Sequence, residues 1–369
     1  MIKIGITGSN GLIGYHLRVL LNTKNDIEYK LASRATFQSE DKLITFAKNL
    51  DVIVHLADTN ISSKSVDISK ENMMISEKIT NAVKSSSKNP HIIFASSIHT
   101  LLNPNRPYSK SKIECANYLK NWCINNNSNF TNLIIPHVFG EFGKPFYNSV
   151  VSTFCHQLAN GDKTKLMIDS QLELIHAHDV SIEIYKVIKN NFFNNVTLTG
   201  AKISVSDLRK KLIELSRDYL KNIIPDLTDD LNCKLFNTLR SYLKDDFYPR
   251  NYILNIDNRG YLYELINTKQ RGLSFLSSTK PGITRGNHFH INKIERFIVI
   301  SGKARIKLRK LFSNDILSFE VNGDKPTYID IPTCTTHNIT NIGKNELTTL
   351  FWSNSFFDKK NTDTYFEEV

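Results

Sequence analysis

The first fourteen residues constrain the fold more than any other segment. Residues Ile2–Thr7 form an apolar, strand-sized run, and residues 7–14 read Thr-Gly-Ser-Asn-Gly-Leu-Ile-Gly before an amphipathic pattern that ends near Leu21. A strand that turns through glycines into a helix lets the backbone approach a pyrophosphate, which the helix N-terminus attracts. This segment therefore predicts a dinucleotide-binding βαβ unit. The expected contacts are Gly8, Asn10, Gly11, Leu12, Ile13 and Gly14.

The rest of the chain predicts two domains of different class. Apolar runs at residues 27–32, 52–57, 92–96 and 132–136 alternate with helical patterns, which indicates an α/β Rossmann-type parallel sheet. Residues 253–354 instead contain short runs rich in Ile, Val, Phe and Thr between turn residues, which is typical of an all-β jelly-roll barrel. Pro249 interrupts the helical pattern, so we expect domains at residues 1–245 and 246–369.

The end of the second predicted strand bears on the choice of cofactor. Sites for NAD place an acid there to bind the ribose 2′-hydroxyl, whereas this chain has Ser33 and Arg34. The forked guanidinium suits a 2′-phosphate, so we expect NADPH; a surface arginine without this role is the alternative. Leu56 and Ala57, after the third predicted strand, are expected to contact the same cofactor.

A Y-x-x-x-K motif occurs twice, so position must distinguish the two copies. Tyr108 and Lys112 follow Ser97, which ends a predicted strand, whereas Tyr185 and Lys189 lie inside a later amphipathic pattern without such a serine. A lysine one helical turn away favours the phenolate of a tyrosine and lowers its pKa. Tyr108 can then exchange a proton with a carbinol oxygen that Ser97 also binds. The predicted catalytic set is Ser97, Tyr108 and Lys112.

This ordered set of motifs resembles the extended short-chain dehydrogenase/reductase family over about residues 1–240. The resemblance implies a nicotinamide-dependent enzyme that acts on a nucleotide sugar. Two residues depart from the family pattern. Asp58 follows His-Leu-Ala where a small residue is usual, and His137 stands where asparagine is common.

The C-terminal domain contains a pattern of potential metal ligands. Residues 282–302 match G-x5-H-x-H-x4-E-x6-G, and residues 332–341 match P-x-G-x2-H-x3-N except that Cys334 replaces the glycine. These patterns resemble the two cupin motifs. Imidazole and carboxylate ligands suit a transition metal, and zinc is our choice because no redox role is needed. The predicted ligands are His288, His290, Glu295 and His337.

The role of His288 stays open between metal ligand and proton-transfer base. Residues 284–288 also resemble the stretch around the catalytic histidine of metal-free deoxysugar 3,5-epimerases.

The two domains in this order resemble a bifunctional family that makes sugar nucleotides for capsules and lipopolysaccharides. The resemblance implies that the cupin domain inverts C3 of a UDP-2-acetamido-2,6-dideoxy-4-hexulose. The reductase domain then reduces C4 with NADPH, on the route to UDP-N-acetyl-L-fucosamine. Two alternatives are a reductase whose cupin is only a structural or dimerisation module, and a non-catalytic nucleotide-sugar sensor.

Charge and composition argue against nucleic acid and membranes as partners. The formal net charge is +11, but the Lys and Arg residues form no dense tract, so nucleic acid is not the expected partner. The apolar runs are far shorter than the roughly 18 residues that span a bilayer, and the N-terminus shows no leader pattern. We therefore expect a cytoplasmic homodimer, without membrane contact, whose 5 cysteines are free thiols.

Overall fold

The computed structural model describes residues 1–59, 68–86, 88–190, 193–270, 272–325, 327–354 and 363–369. The chain divides into two compact units, Met1–Ile213 with Asp230–Lys244, and Glu214–Asp229 with Asp245–Val369. This division differs from the predicted boundary in the segment Glu214–Asp229. That segment belongs to the second unit, where its short strand Ile223–Ile224 pairs with a strand of the C-terminal sheet.

The elements up to residue 240 are a mixture of strands and helices. They are β1 Ile2–Thr7, α1 Leu12–Leu21, β2 Ile27–Ala32, α2 Arg34–Phe37, α3 Glu40–Ala47, β3 Val52–His55, α4 Ile68–Lys84, β4 His91–Ser97, α5 His99–Leu102, α6 Pro107–Asn125, β5 Phe130–Ile135, β6 His137–Phe139, α7 Val150–Ala159, β7 Gln171–His176, α8 Ala177–Asn190, β8 Val196–Thr197, β9 Ala201–Ser204, α9 Val205–Leu220, β10 Ile223–Ile224 and α10 Asp230–Arg240.

The main sheet of the first unit is parallel, with strand order β2-β1-β3-β4-β5-β8. Its central strands β3 and β4 are buried on both faces, as expected of a parallel sheet that is covered by helices on both sides. Ile4 and Val54 belong to the core on one face, whereas Ile53 and Phe94 belong to the core on the other. The chain reverses direction across the sheet between β1 and β3, and the carboxyl ends there form the crevice where doubly wound folds bind ligands.

The remaining elements are almost entirely strands. They are a 3₁₀ helix Asp245–Phe247, then β11 Asn255–Asp257, β12 Gly260–Thr268, β13 Gly272–Thr279, β14 Thr284–Phe289, β15 Glu295–Ser301, β16 Lys303–Lys310, β17 Ile316–Asn322, β18 Tyr328–Ile331, β19 Thr335–Asn341, β20 Leu347–Ser353 and β21 Tyr365–Phe366.

Two sheets form the second unit around one core. The first has the order β10-β12-β13-β20-β15-β18, with β11 beside β12, and the second has the order β17-β16-β19-β14-β21. Phe297 and Phe351 of the first sheet pack in one cluster with Ile306 and Ile339 of the second. The predicted fold class, a Rossmann-type parallel sheet followed by an all-β domain, is therefore confirmed.

Two compositional predictions can also be compared with the structure. All five cysteines lie in the described part of the chain and carry free thiols. Among the described helices, each one is too short or too polar to cross a lipid bilayer.

Two candidate active sites

The glycine turn lies between β1 and α1, and two of its glycines admit no side chain. Gly8 has φ of 66°, and a Cβ there would lie 2.7 Å from the amide nitrogen of Ala57. A Cβ on Gly14 would lie 2.4 Å from the carbonyl oxygen of Gly8. In the described part of the chain no side chain caps α1 at Gly11, so the first N–H groups of the helix can receive a phosphate.

A threonine that the sequence analysis overlooked fixes the neighbouring loop. The Thr7 hydroxyl oxygen accepts the N–H groups of Leu56 and Ala57 at 3.2 and 3.1 Å. It also lies 2.9 Å from Nδ1 of His55. These contacts hold the predicted cofactor residues Leu56 and Ala57 beside the glycine turn. The signal for Thr7 was its position as the last residue of β1.

Ser33 and Arg34 lie at the carboxyl end of β2, directly beside β1. The Ser33 hydroxyl accepts the N–H of Thr36 at 3.3 Å and thereby caps α2. Arg34 is the first residue of α2 and is exposed. The position suits a guanidinium that reaches a phosphate on this edge of the sheet, whereas Ser33 already has a local structural role.

Of the predicted catalytic residues, Ser97 ends β4, while Tyr108 and Lys112 lie on α6 and both contact Asp58. The buried Lys112 donates from Nζ to the carbonyl oxygen of Ala95 at 2.7 Å and lies 2.8 Å from Oδ2 of Asp58. The Tyr108 hydroxyl donates to the same Asp58 oxygen at 3.4 Å. The Ser97 hydroxyl, at the end of β4, accepts the N–H of His99 at 3.3 Å.

The electrostatics of Tyr108 differ from the expectation drawn from the motif alone. Burial raises the pKa of Tyr108, and Asp58 and Tyr147 add to that effect, while only Lys112 lowers it. Burial by itself lowers the pKa of Lys112, but Asp58 and Tyr108 together raise that pKa above its ordinary value. Tyr108 is therefore a protonated phenol at neutral pH, because burial and Asp58 outweigh the decrease in its pKa that the motif predicts from Lys112.

His137 forms an imidazole pair with His99 next to Ser97. The ring centroids lie 5.1 Å apart in an edge-to-face arrangement. Within the described residues, the Nδ1 atoms of both rings are buried without a hydrogen-bond partner. Burial lowers the pKa of each histidine, so both rings are neutral at neutral pH. The pair therefore offers polar atoms to a ligand beside Ser97, the predicted catalytic serine.

The four predicted metal ligands converge between the two sheets of the second unit. His288, His290, Glu295 and His337 each offer a ligand atom, and these atoms all lie within 4.8 Å of one another. His288 on β14 is opposite His337 on β19 in the strand register. His290 is the first residue after β14, two positions beyond His288, and both rings reach the same cluster.

The donor atoms fit a transition metal. Nε2 of His290 and Nε2 of His337 lie 3.2 and 3.3 Å from the same Glu295 oxygen. Both ring nitrogens are buried without a hydrogen-bond partner in the described part of the chain. Burial by itself raises the pKa of the Glu295 carboxyl, but the two imidazoles lower it more. The pKa of Glu295 therefore lies far below its usual range, and the carboxyl is ionised at neutral pH. Three converging electron-pair donors match the ligand set of a catalytic zinc ion.

Backbone carbonyl groups orient two of these rings. Nδ1 of His290 lies 2.5 Å from the carbonyl oxygen of Asp363, and Nδ1 of His337 lies 3.2 Å from that of Thr335. A protonated Nδ1 that donates to a carbonyl leaves the lone pair of Nε2 for a metal. The Asp363 carboxylate also accepts the N–H groups of residues 291–293. Sequence reasoning missed Asp363 because it lies 73 positions from His290.

The departure at Cys334 has a conformational explanation. Cys334 has φ of 56°, the left-handed region that favours the glycine of the motif. Its N–H donates to the carbonyl oxygen of His290 at 2.7 Å, so the turn supports a ligand. Asn341, the last residue of the motif, is buried and donates to the carbonyl oxygen of Thr279 at 2.8 Å, which is a structural role.

Two family models match the chain, one in each domain. Residues 4–196 match the NAD dependent epimerase/dehydratase family, and residues 255–365 match the polysaccharide biosynthesis C-terminal domain. A UDP-glucose 4-epimerase from Thermotoga maritima, solved with UDP-glucose, is 17% identical with a TM-score of 0.55. It covers 65% of this chain and 98% of its own, and at this identity it supports the fold alone.

Two relatives match over both domains. The capsular polysaccharide assembling protein CapF of Staphylococcus aureus is 30% identical, with a TM-score of 0.88 and complete coverage of both chains. A UDP-2-acetamido-2,6-beta-L-arabino-hexul-4-ose reductase of Pseudomonas aeruginosa is 28% identical over 99% of this chain and 98% of its own length.

Proposed function

Because the chain belongs to the NAD dependent epimerase/dehydratase family, and to the CapF group that adds a second all-β domain, we propose that it is a bifunctional sugar-nucleotide enzyme. The second unit inverts C3 of a UDP-2-acetamido-2,6-dideoxy-4-hexulose, and the first unit reduces C4 with NADPH. The product is UDP-N-acetyl-6-deoxy-L-talosamine, on the route to UDP-N-acetyl-L-fucosamine for capsule or O-antigen.

One observation carries this proposal: a single chain holds two sets of chemically competent groups. The first is the Ser97, Tyr108 and Lys112 set on a nucleotide-binding sheet. The second is the His and Glu cluster between the two β-sheets. The name of the Pseudomonas aeruginosa relative supports the choice of a UDP-linked 4-keto sugar as the substrate.

In the reductase site the protein positions the ketone and supplies a proton, while NADPH supplies the hydride. The uncapped start of α1 and the glycine turn receive the pyrophosphate, and Arg34 binds the 2′-phosphate. Ser97 donates a hydrogen bond to the C4 oxygen and holds the carbonyl in place. Tyr108, protonated at neutral pH, gives its hydroxyl proton to the same oxygen as the alcohol forms.

In the second site the protein holds a metal and moves a proton at C3. His290, Glu295 and His337 are the proposed metal ligands, because their atoms converge and two ring nitrogens lack other partners. A bound zinc ion supplies Lewis-acid polarisation of an oxygen. His288 is the only one of the four that is not fully buried, so we assign it the removal of the C3 proton. Inversion follows when a proton from solvent reaches C3 on the opposite face of the enolate.

The chemistry sets the order of the two reactions. A C3 proton is acidic only while the neighbouring C4 ketone can stabilise the enolate. Inversion must therefore precede reduction, and reduction then protects the product from further inversion. A chain that contains both sites can follow this order without a second enzyme.

The test incubates the full-length chain with the UDP-linked 4-hexulose in deuterated water, with and without NADPH, and follows the sugar by NMR. Without NADPH we expect deuterium at C3; with NADPH we expect cofactor oxidation and one reduced, C3-inverted product. NADPH oxidation without C3 exchange would leave a reductase with a purely structural second domain. Binding of the sugar without either reaction would favour a sensor and overturn the proposal.

A further inference from the structure

Asp58 occupies a position from which it contacts both ionisable residues of the reductase motif. Its Oδ2 lies 2.8 Å from the Lys112 ammonium and accepts the Tyr108 hydroxyl at 3.4 Å. The side chain of Lys112 is only 5% exposed and that of Asp58 is 23% exposed. The three groups therefore form one partly desolvated cluster at the carboxyl end of the sheet, where the proposed reaction occurs.

A buried ammonium needs a partner, and two oxygen atoms lie within hydrogen-bond distance of Lys112, besides the Phe94 ring with its centroid at 4.9 Å. One is the neutral carbonyl oxygen of Ala95 at 2.7 Å, and the other is the Asp58 carboxylate. Without Asp58, the whole positive charge of Lys112 would act on the Tyr108 hydroxyl and favour its ionisation. A site that must give a proton to a ketone instead needs Tyr108 to keep its hydroxyl proton until the ketone is reduced.

We propose that Asp58 is a positioning residue of the reductase site, whose carboxylate binds the Lys112 ammonium and the Tyr108 hydroxyl together and so holds Tyr108 as the proton donor. This inference rests on the proposed reduction of a 4-keto sugar and deepens it. Asp58 acts through Tyr108 and Lys112 and need not contact the substrate. Its effect is therefore expected in the pH dependence rather than in substrate affinity.

The charges around Tyr108 give the direction of that effect. Besides burial, the groups that act on the phenol are Lys112 from α6, Asp58 from the segment after β3, and Tyr147 from the segment before α7. Asp58 and Tyr147 raise the pKa of Tyr108, and Lys112 lowers it. Neutralising Asp58 therefore lowers the pKa of Tyr108. As the pH rises, the variant loses the Tyr108 proton, and with it proton donation, at a lower pH than the native chain does.

The experiment titrates Tyr108 in the full-length chain without substrate or cofactor. The absorbance of tyrosinate is recorded against pH, and the same titration of Tyr108→Phe is subtracted to isolate this residue. In Asp58→Asn we expect the midpoint to fall by about 1 pH unit, the lower end of the effect of a neighbouring charge. Asp58→Gly is a second neutral variant and must lower the midpoint as well.

Asp26→Asn is the matched control for loss of an aspartate. Asp26 forms an ion pair with Lys189 at 2.6 Å, and it precedes β2 at the amino end of the sheet, away from the crevice. This variant should leave the Tyr108 midpoint unchanged. Circular dichroism at each pH verifies that every variant stays folded over the range compared. A midpoint that is unchanged or higher in both neutral variants overturns the inference.

A kinetic measurement separates this inference from the proposed function. The rate of NADPH oxidation with the 4-keto sugar should decline at a lower pH in Asp58→Asn than in the native chain, with KM nearly unchanged. If the native chain does not oxidise NADPH with this sugar, the proposed function fails. The tyrosine titration still decides whether Asp58 controls the proton of Tyr108.

Discussion

The reductase site and the His/Glu site satisfy their polar groups in opposite ways. In the first unit the ionisable groups Lys112, Asp58 and Tyr108 pair with one another. Among the described residues, the groups left without partners there are the backbone N–H groups at the start of α1 and the Nδ1 atoms of His99 and His137. In the second unit two buried imidazole nitrogens have no hydrogen-bond partner within the described residues, although they point at one carboxylate.

This difference teaches how each site is completed. Buried polar atoms without partners are costly, so we propose that an ion satisfies the remaining lone pairs of the His/Glu cluster. In the reductase site the ionisable groups Lys112, Asp58 and Tyr108 satisfy one another, and we propose that a dinucleotide binds to the open backbone and to Arg34. Removing one residue should therefore affect the two sites differently. In the first site we expect the reaction to be lost while cofactor binding remains, and in the second site we expect the metal ion to be lost.

The largest expected effect separates the chemistry of the two sites. Tyr108→Phe removes the proposed proton donor, so NADPH oxidation with the 4-keto sugar should fall by about 10²- to 10⁴-fold. Deuterium exchange at C3, which belongs to the other site, should continue at the native rate. Spectrophotometry of NADPH and NMR of the sugar measure the two quantities in the same sample.

Tyr185→Phe provides the matched control, because Tyr185 is the first residue of the other Y-x-x-x-K sequence. Tyr185 lies on α8, where Nζ of Lys24 is 5.0 Å from its ring centroid. This variant should keep both activities. Loss of C3 exchange in Tyr108→Phe would show that the two reactions do not belong to separate sites.

The next effect is loss of the metal. We expect about one transition ion per native chain, and only background metal in His337→Gln, because Nε2 of His337 is one of the two partnerless nitrogens. Elemental analysis measures the ion, and C3 exchange should disappear with it. NADPH binding, followed by fluorescence, should persist.

A buried histidine of the first unit controls for the substitution itself. His91, whose Nε2 lies 2.8 Å from Oγ1 of Thr131, can be changed to glutamine with no expected change in metal content. A native chain purified without any transition metal contradicts the zinc assignment and favours a metal-independent epimerase.

A smaller effect concerns the choice of cofactor. Arg34→Ala should weaken NADPH binding by about 10-fold or more, the equivalent of one lost hydrogen bond to a charged group, and should leave NADH binding unchanged. Arg34→Lys keeps the charge without the fork and should lie between the two. Fluorescence titration gives the affinities, and equal native affinities for NADPH and NADH would refute the role of Arg34.

The smallest effect tests the conformation beside the metal site. Cys334→Gly removes the side chain from a left-handed residue, whereas Cys334→Ala removes only the thiol. We expect glycine to be more stable than alanine by up to about 1 kcal/mol, because the relief of backbone strain exceeds the added entropy of the unfolded chain. Calorimetric unfolding of the two variants measures the difference, and a more stable alanine variant would mean that the turn is unstrained.

Much of the architecture could be predicted from local patterns. The strand at residues 27–32 and the helix that ends at Leu21 agree with β2 and α1, because both depend on short-range periodicity. The His/Glu cluster was also predictable, since the spacing of its motif fixes three ligands within eight residues and the fourth on a paired strand. The proposed roles of these residues stay predictions.

The contacts between distant segments could not be predicted. Asp58 could be recognised as unusual, but only the packing of α6 against β4 brings Lys112 and Tyr108 to it. The contact of Asp363 with His290 could not be predicted, because it depends on the C-terminal segment that returns to His290. The net increase in the pKa of Tyr108 has the same origin, because burial and Asp58 raise this pKa more than Lys112, the lysine of the motif, lowers it.

The sequence by itself thus determined the order of the two domains, the glycine turn and the identity of the chemical groups, because each depends on residue type and short spacing. Only the tertiary structure decided how those groups are charged and paired. The free energy of an ionised side chain depends on its burial and on charges a few ångströms away, and these come from segments that are far apart in the chain.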